Sequence, residues 1–349
     1  MTTTTSFNYS HTIGFLANQG RGFNNPVDVA LDSQGVLYVL NRAGPEVAIR
    51  LPYKRVVTCT VDEEYLGEFG TGGTGDGQFW WPSSVAFDSE DRLYVADEAL
   101  QRVSIFSKSG ELLGQWGEHG SRDGHIDRPS AMVIDSEDNL YLADSLNNRV
   151  QKFTKDGHFL GKWGEKGDGP GQFNMPWGIA LDSDGDVYVS DWRNDRVQKF
   201  DPSGRYLDQW GSSGDAEGQF NRPSGIAVDP DGNIYVCDWG NERVQVLSPS
   251  GQVLDSFRGD SVTSTWATAY FEANPDEGAA RLAADLEPQV SPRSDIQRET
   301  SANVEKLLWG PTSVKLDDQG RIYIVDSLRH RLQIYQREVR ESGDTRAHC

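Results

Sequence analysis

Residues 218–259 read GQFNRPSGIAVDPDGNIYVCDWGNERVQVLSPSGQVLDSFRG, and residues 171–211 read GQFNMPWGIALDSDGDVYVSDWRNDRVQKFDPSGRYLDQWG. The two stretches are copies of one unit. In the first, apolar runs at 225–228, 234–237 and 243–247 and a last run ending near Phe257 are separated by a DPDGN turn, a polar loop and an SPSG turn. Gly and Asp provide the positive-φ and side-chain-capped positions that tight hairpins require. Four antiparallel strands joined in this way and repeated at a fixed period are propeller blades.

Working outward, a proline precedes the first run at Pro26, Pro82, Pro129, Pro176, Pro223 and Pro311; the period is 47 residues, with longer gaps of 56 after the first copy and 88 after the fifth. Six copies predict an all-β chain, a six-bladed β-propeller of four-stranded antiparallel blades forming one domain over 7–337. The last copy stops after Tyr335, and HTIGFLANQG near the N-terminus matches ELLGQWGEHG, Glu111 to Gly120. Residues 8–17 are therefore expected to supply the outer strand of blade 6, so that both termini close the ring and no sheet edge is left free.

The long gap predicts a helical insertion between blades 5 and 6 at 260–307. Trp266, Tyr270 and Phe271 stand at helical spacing, and Leu282 and Leu286 follow an Asn-Pro-Asp-Glu helix start. One or two helices are expected, then a polar stretch over 291–301 and a short helix or turn near 304–308. Because the insertion joins two blades it should emerge on the loop face, either as a lid or docking element or as a cap over a blade junction. Residues 338–349 are charged, lack a core pattern and read as a flexible tail.

Composition narrows the function. The 53 acidic against 33 basic residues give a formal net charge of −20, which repels phosphate backbones and disfavours nucleic acid as a partner. Cys59, Cys237 and Cys349 form neither an even disulfide framework nor a CxxC pair, so no cysteine metal site is indicated. MTTTTSFNYSHTIGF lacks the basic and apolar regions of a signal peptide, and no stretch is apolar enough for a membrane span. The expectation is a cytoplasmic protein with no membrane partner, no metal and no cofactor.

The pattern GQFxxPxGIAxDxxGxxYVxDxxNxRVQxF resembles the NHL repeat of bacterial and animal propellers, over nearly the whole chain outside the insertion and tail. That resemblance implies the fold and leaves the activity open, since related propellers include RNA-binding modules of tripartite-motif ubiquitin ligases, adhesion proteins and a peptide-amidating lyase. The lyase holds its metal with histidines near the blade starts. Here the residues after the blade prolines are Val27, Ser83, Ser130, Trp177, Ser224 and Thr312, which assemble no metal set.

An Asp followed five positions later by Arg recurs at Asp97/Arg102, Asp144/Arg149, Asp191/Arg196, Asp238/Arg243 and Asp326/Arg331, and reads as a structural ion pair tying the second strand to the third. Blade 1 departs from it, with Asn41 in the Asp position and Glu46 in the Arg position by the same count. DSDGD (182–186) and DPDGN (229–233) resemble the start of a calcium loop, but the twelfth position holds Arg193 or Gly240 and not Glu, so both read as hairpin turns.

Trp116, Trp163 and Trp210 share one repeat position with Phe69 and Phe257 and read as outer-strand packing. Trp80, Trp81, Trp177, Trp192, Trp239 and Trp309 fall in loops that all emerge at one end of the blades. With Arg128, Arg193, Arg222 and Arg329 they predict an aromatic and cationic ligand-binding face. The expected function is a binding scaffold that presents Trp81, Trp177, Trp192, Trp239 and these arginines to a protein or small polar ligand. The alternative is a lyase or lactone hydrolase at the axial mouth beneath the insertion, drawing on His125, His330, Asp28 and Glu46 for proton transfer.

Overall fold

The computed structural model describes residues 3–43, 53–289 and 296–341. Six four-stranded antiparallel sheets surround an axis, the inner strand of each starting at one of the six prolines. Blade 5 shows the plan: Pro223–Val228 innermost, then Ile234–Asp238, Arg243–Leu247 and Val253–Phe257 outermost. The second strands, such as LYVAD and IYVCD, are buried at every residue because a neighbouring blade covers each of their faces. Outer strands alternate between half-buried and exposed positions, as period-two side chains on a half-covered sheet must.

The turn between the first two strands is built by its leading Asp. Asp182 Oδ1 accepts the backbone N–H groups of Asp184 and Asp186, and Gly185 takes the left-handed conformation at φ +82°. DSDGD and DPDGN are thus hairpin turns.

Blades are glued by aromatics. The last residue of each outer strand packs on the third strand of the next blade, as in Trp116–Phe153 (ring centroids 4.8 Å), Trp163–Phe200 (5.9 Å) and Phe257–Tyr335 (4.6 Å). A turn glycine of that next blade lies flat on the ring: a Cβ at Gly157 would fall 2.4 Å from Trp116, and one at Gly204 2.7 Å from Trp163.

The closing blade differs from expectation in two ways. Its outer strand is Thr3–Ile13, paired with Arg331–Glu341, and 14–17, assigned to that strand from sequence, belong to the loop leading into blade 1. ELLGQWG contains two glycines three residues apart, and Gly14 (φ +90°) corresponds to Gly117 (φ +128°), not Gly114. The third strand continues through Glu341, opposite Thr3, where a tail was expected from 338. That extension rests on the backbone ladder between residues that are polar apart from Val339, which leaves no alternating apolar pattern to read. Residues 342–349 lie outside the described residues.

The insertion holds three helices: α1 (Thr265–Ala273), α2 (Pro275–Ala283) and α3 (Ile296–Asn303), the last starting inside the polar stretch 291–301 and ending just beyond it. Although the chain enters it from blade 5 and leaves into blade 6, α1 seats at the junction of blades 6 and 1. There Ile13 occupies the position held elsewhere by Trp or Phe, and Cys59 the position of Phe153 or Phe200. Trp266 of α1 fills the missing volume, buried with Ile13 and Cys59 and set edge-on to Phe23 (5.8 Å) and Tyr65 (6.3 Å). Glu63 stands where other blades have the flat-lying glycine, at φ +65°. Its carboxylate accepts the N–H groups of Gly14, Thr265 and Trp266, so blade 1 supplies the anion at the start of α1.

Candidate functional site

The recurring Asp and Arg hold the loop face together. In blade 4, Asp191 Oδ2 accepts from Arg196 Nε at 2.9 Å and from the Asn194 and Gln198 amides, while Oδ1 accepts the Asn174 N–H. The outer nitrogens of Arg196 donate to the carbonyls of Asp168, Gly169 and Gln172, so the loop arriving from blade 3 is pinned to blade 4. Arg149, Arg243 and Arg331 reach Asp144, Asp238 and Asp326 in the same way at 2.7, 2.8 and 2.8 Å. In blade 2 the partners act separately: Asp97 caps the N–H groups of Trp80, Trp81, Ala99 and Leu100, and Arg102 donates to the Gly75 and Gln78 carbonyls.

Blade 1 corrects the count by five. Arg55, not Glu46, lies opposite Asn41 in the strand register. It donates to the Ala17 and Gly22 carbonyls as its counterparts do, and its charge is met by Glu68 at 2.6 Å. The longer loop of blade 1 displaces the Arg along the chain, and Glu46 lies outside the described residues.

His330 belongs to a second repeating device. At the left-handed position of the loop between strands two and three, Gln101, Asn148, Asp195, Glu242 and His330 have φ of 53°, 53°, 51°, 53° and 57°. Each side chain accepts the backbone N–H that precedes the next blade's proline, from Arg128, Met175, Arg222, Gly310 and Asn25 respectively. His330 is the latch between blades 6 and 1, with Nδ1 accepting from Asn25 at 2.9 Å, which requires a neutral ring. Burial, reinforced by Arg329, lowers its pKa from 6.5 to about 4.

A folded pKa below the unfolded one means that the latch stabilises fully above about pH 6.5 and is lost as the pH falls towards 4. This residue is expected to contribute on the order of 3 kcal/mol to that loss. His330→Asn keeps the acceptor without the titration, as Asn148 already does, and should flatten the stability profile between pH 7 and 4. Urea midpoints that fall equally in both proteins would refute the assignment.

The inner strands leave a cavity of about 50 Å³ on the axis, open to the loop face. Asp28 is the carboxylate in its wall and is held by the Ser84 and Ser313 hydroxyls, the Val85 N–H and Lys315 at 3.4 Å. It acts as a structural pin of the inner ring. On the blade 4 side Trp177 lines the cavity and packs against Trp192, ring centroids 5.4 Å apart and planes tilted by 32°, with Arg222 and Arg193 at 5.2 and 5.9 Å over the Trp192 ring. On the blade 1 side Arg42 lines it, lying 4.0 Å over Trp81 and 3.1 Å from Glu98. Lys54 sits 5.2 Å over the same indole and donates to the Arg42 carbonyl. Burial pushes Arg42 down, Lys54 down to about 8 and the Glu98 carboxyl up.

Sequence reasoning singled out Trp81, Trp177, Trp192, Arg193 and Arg222; of these Trp177 lines the cavity, Trp192, Arg193 and Arg222 gather beside it, and Trp81 lies against Arg42. It missed Arg42, Lys54 and Glu98, whose only signal is that blade 1 departs from the repeat. Trp239 is covered by Arg298 of α3 at 4.6 Å, and Arg329 is engaged by the carbonyls of Ser301, Ala302 and Val304. Arg128 is exposed. His125 stands away from the axis, its Nδ1 3.7 Å from Glu118. Among the described residues no three His, Cys, Asp or Glu side chains gather as a metal site, and no helix is long and apolar enough to cross a membrane.

The blade pattern and its buried brackets have a counterpart in known sequences: the NHL repeat matches residues 173–200, 220–247 and 308–335. The chain carries NHL repeats. This NHL propeller is 33% identical over 86 residues to human NHL repeat-containing protein 3, an alignment covering 25% of this chain and 23% of that protein. The mouse protein of the same name is 31% identical over the same length. Among solved structures, a protein of unknown function from Bacteroides thetaiotaomicron superposes with a TM-score of 0.61 at 20% identity, covering 96% of this chain and 76% of that one. Virginiamycin B lyase from Staphylococcus aureus with quinupristin gives 0.53 at 12% identity, covering 92% and 81%. At such identities the likeness extends to the fold.

Proposed function

We propose that this NHL propeller is a binding scaffold whose loop face takes a polar ligand or a short protein segment at the axial mouth, against Trp177 and Trp192. The observation that carries the reading is the tilted indole pair, half-buried, flanked by Arg193 and Arg222 and continuous with the axial cavity. Flat aromatic surface with two torsions per side chain gives contact area at low entropic cost, and adjoining guanidiniums add charge-assisted bonds. His330 and Asp28 are committed to structural bonds and His125 stands away from the axis, which favours binding over proton-transfer chemistry. The unpaired buried thiols of Cys59 and Cys237 support a reducing, cytoplasmic setting.

Trp177→Ala and Trp192→Ala are each expected to weaken a ligand found by thermal-shift screening of peptides and small polar acids by about 2 kcal/mol, roughly 30-fold. The urea midpoint should hardly move, since both rings lie outside the blade cores. A hit whose affinity is untouched by both substitutions would refute this assignment of the site.

A further inference from the structure

Arg42 is the cationic side chain of the cavity wall beside Trp81, with Lys54 and Arg128 near it and Glu98 and Asp97 as the neighbouring carboxylates. Arg42 and Lys54 both face the Trp81 ring, the side chain of Arg42 is 18% exposed and Lys54 is 1% exposed. Glu98 Oε1 lies 3.1 Å from Arg42 Nη1, and Arg42 Nε is buried without a hydrogen-bond partner. Asp28, the carboxylate in the cavity wall, is matched by Lys315 and two hydroxyls. Across the same cavity the hydroxyl of Thr312 is also buried without a partner. A buried donor without an acceptor is costly to the fold, so a cavity bordered by such groups suits an acceptor-rich guest.

The cavity is small, about 50 Å³, and most of a ligand would lie outside it, where Trp177 and Trp192 begin. A phosphate would bring more negative charge towards Asp28 than a carboxylate does. We propose that the axial cavity receives the carboxylate of a ligand, bound by Arg42 and the Thr312 hydroxyl, while the ligand's flat or apolar body lies on the Trp177–Trp192 wall. This rests on the loop-face reading and adds the chemical class of the ligand: a carboxylic acid or a chain with a free C-terminal carboxylate. Arg42 is suited to the task because its stacking on Trp81 fixes the guanidinium plane before binding.

The test uses the full chain with four probes: acetate, inorganic phosphate, hippurate, and hippuramide, which differs from hippurate by replacing the carboxylate with an amide. Tryptophan fluorescence and calorimetry are expected to show saturable acetate binding, no phosphate binding at equal concentration, and hippurate at least tenfold tighter than hippuramide. Arg42→Gln should abolish that preference. Thr312→Val, which removes only a hydroxyl, should reduce it by about threefold and keeps the test informative if Arg42→Gln fails to fold. Hippurate and hippuramide binding equally, or acetate failing to bind, overturns the inference. Equal binding of both probes that is lost in Trp177→Ala would overturn the carboxylate assignment alone and leave the loop-face reading standing.

Discussion

Arg196→Met is expected to lower the free energy of unfolding by about 3–5 kcal/mol, the cost of leaving a buried charge uncompensated. Asp191 is fully buried, and burial already pushes its carboxyl above the ordinary range against the pull of its hydrogen bonds and of Arg196. Removing Arg196 takes away the ion pair at 2.9 Å and also orphans the carbonyls of Asp168, Gly169 and Gln172. Exchanging both members, Asp191→Asn with Arg196→Met, should recover a large part of the loss because the stranded charge is gone. Arg102→Met provides the internal contrast. Asp97 is held by four backbone N–H groups, so the loss in blade 2 should be smaller. Urea unfolding followed by circular dichroism measures all three, and a loss under 1 kcal/mol for Arg196→Met would show that the bracket is not what holds blade 4 to its loop.

Why the blades were legible and the closing junction less so follows from what each leaves in the sequence. A second strand such as IYVCD, a turn such as DPDGN and a bracket such as Asp238/Arg243 are local and recur in the other blades, the bracket in four of them, so position alone identifies them. Trp116 and Trp163 were recognisable as packing because they share a repeat position, and their rings do rest on Phe153 and Phe200. Arg55 escaped because its register is set by pairing with Asn41 across a longer loop, which sequence distance does not reveal. The candidate site is half legible for the same reason. Trp177 and Trp192 stand out as departures from the repeat, whereas Arg42, Lys54 and Glu98 meet only when blades 1 and 2 are brought side by side. The insertion was visible as excess length, but its seat at blades 6 and 1 depends on a void left by Ile13 and Cys59, and a void leaves no residue to read.

That void predicts the second large effect. Trp266→Ala should destabilise the propeller by about 3–5 kcal/mol, the usual range for deleting a buried tryptophan. Elsewhere the junction is filled by a ring belonging to the blade itself, so the ring comes with the sheet. Between blades 6 and 1 the ring arrives on α1, and its loss should also release the helix: α1 is otherwise fastened by Glu63, by the Ser264 cap on the Ala267 N–H, and by Phe15 against Tyr270 at 5.4 Å. Limited proteolysis should then cut within 260–289 under conditions where the unmodified protein resists, before the blades unfold. Trp266→Phe should restore most of the stability, since Phe performs this task at Phe69 and Phe257. Installing the ring in the sheet, as Ile13→Trp in the Trp266→Ala background, separates the two roles of the residue. If Trp266 is a transplanted blade aromatic, the double variant should regain global stability while the insertion stays open to protease; if stability is not regained, the void belongs to the helix and not to the blade.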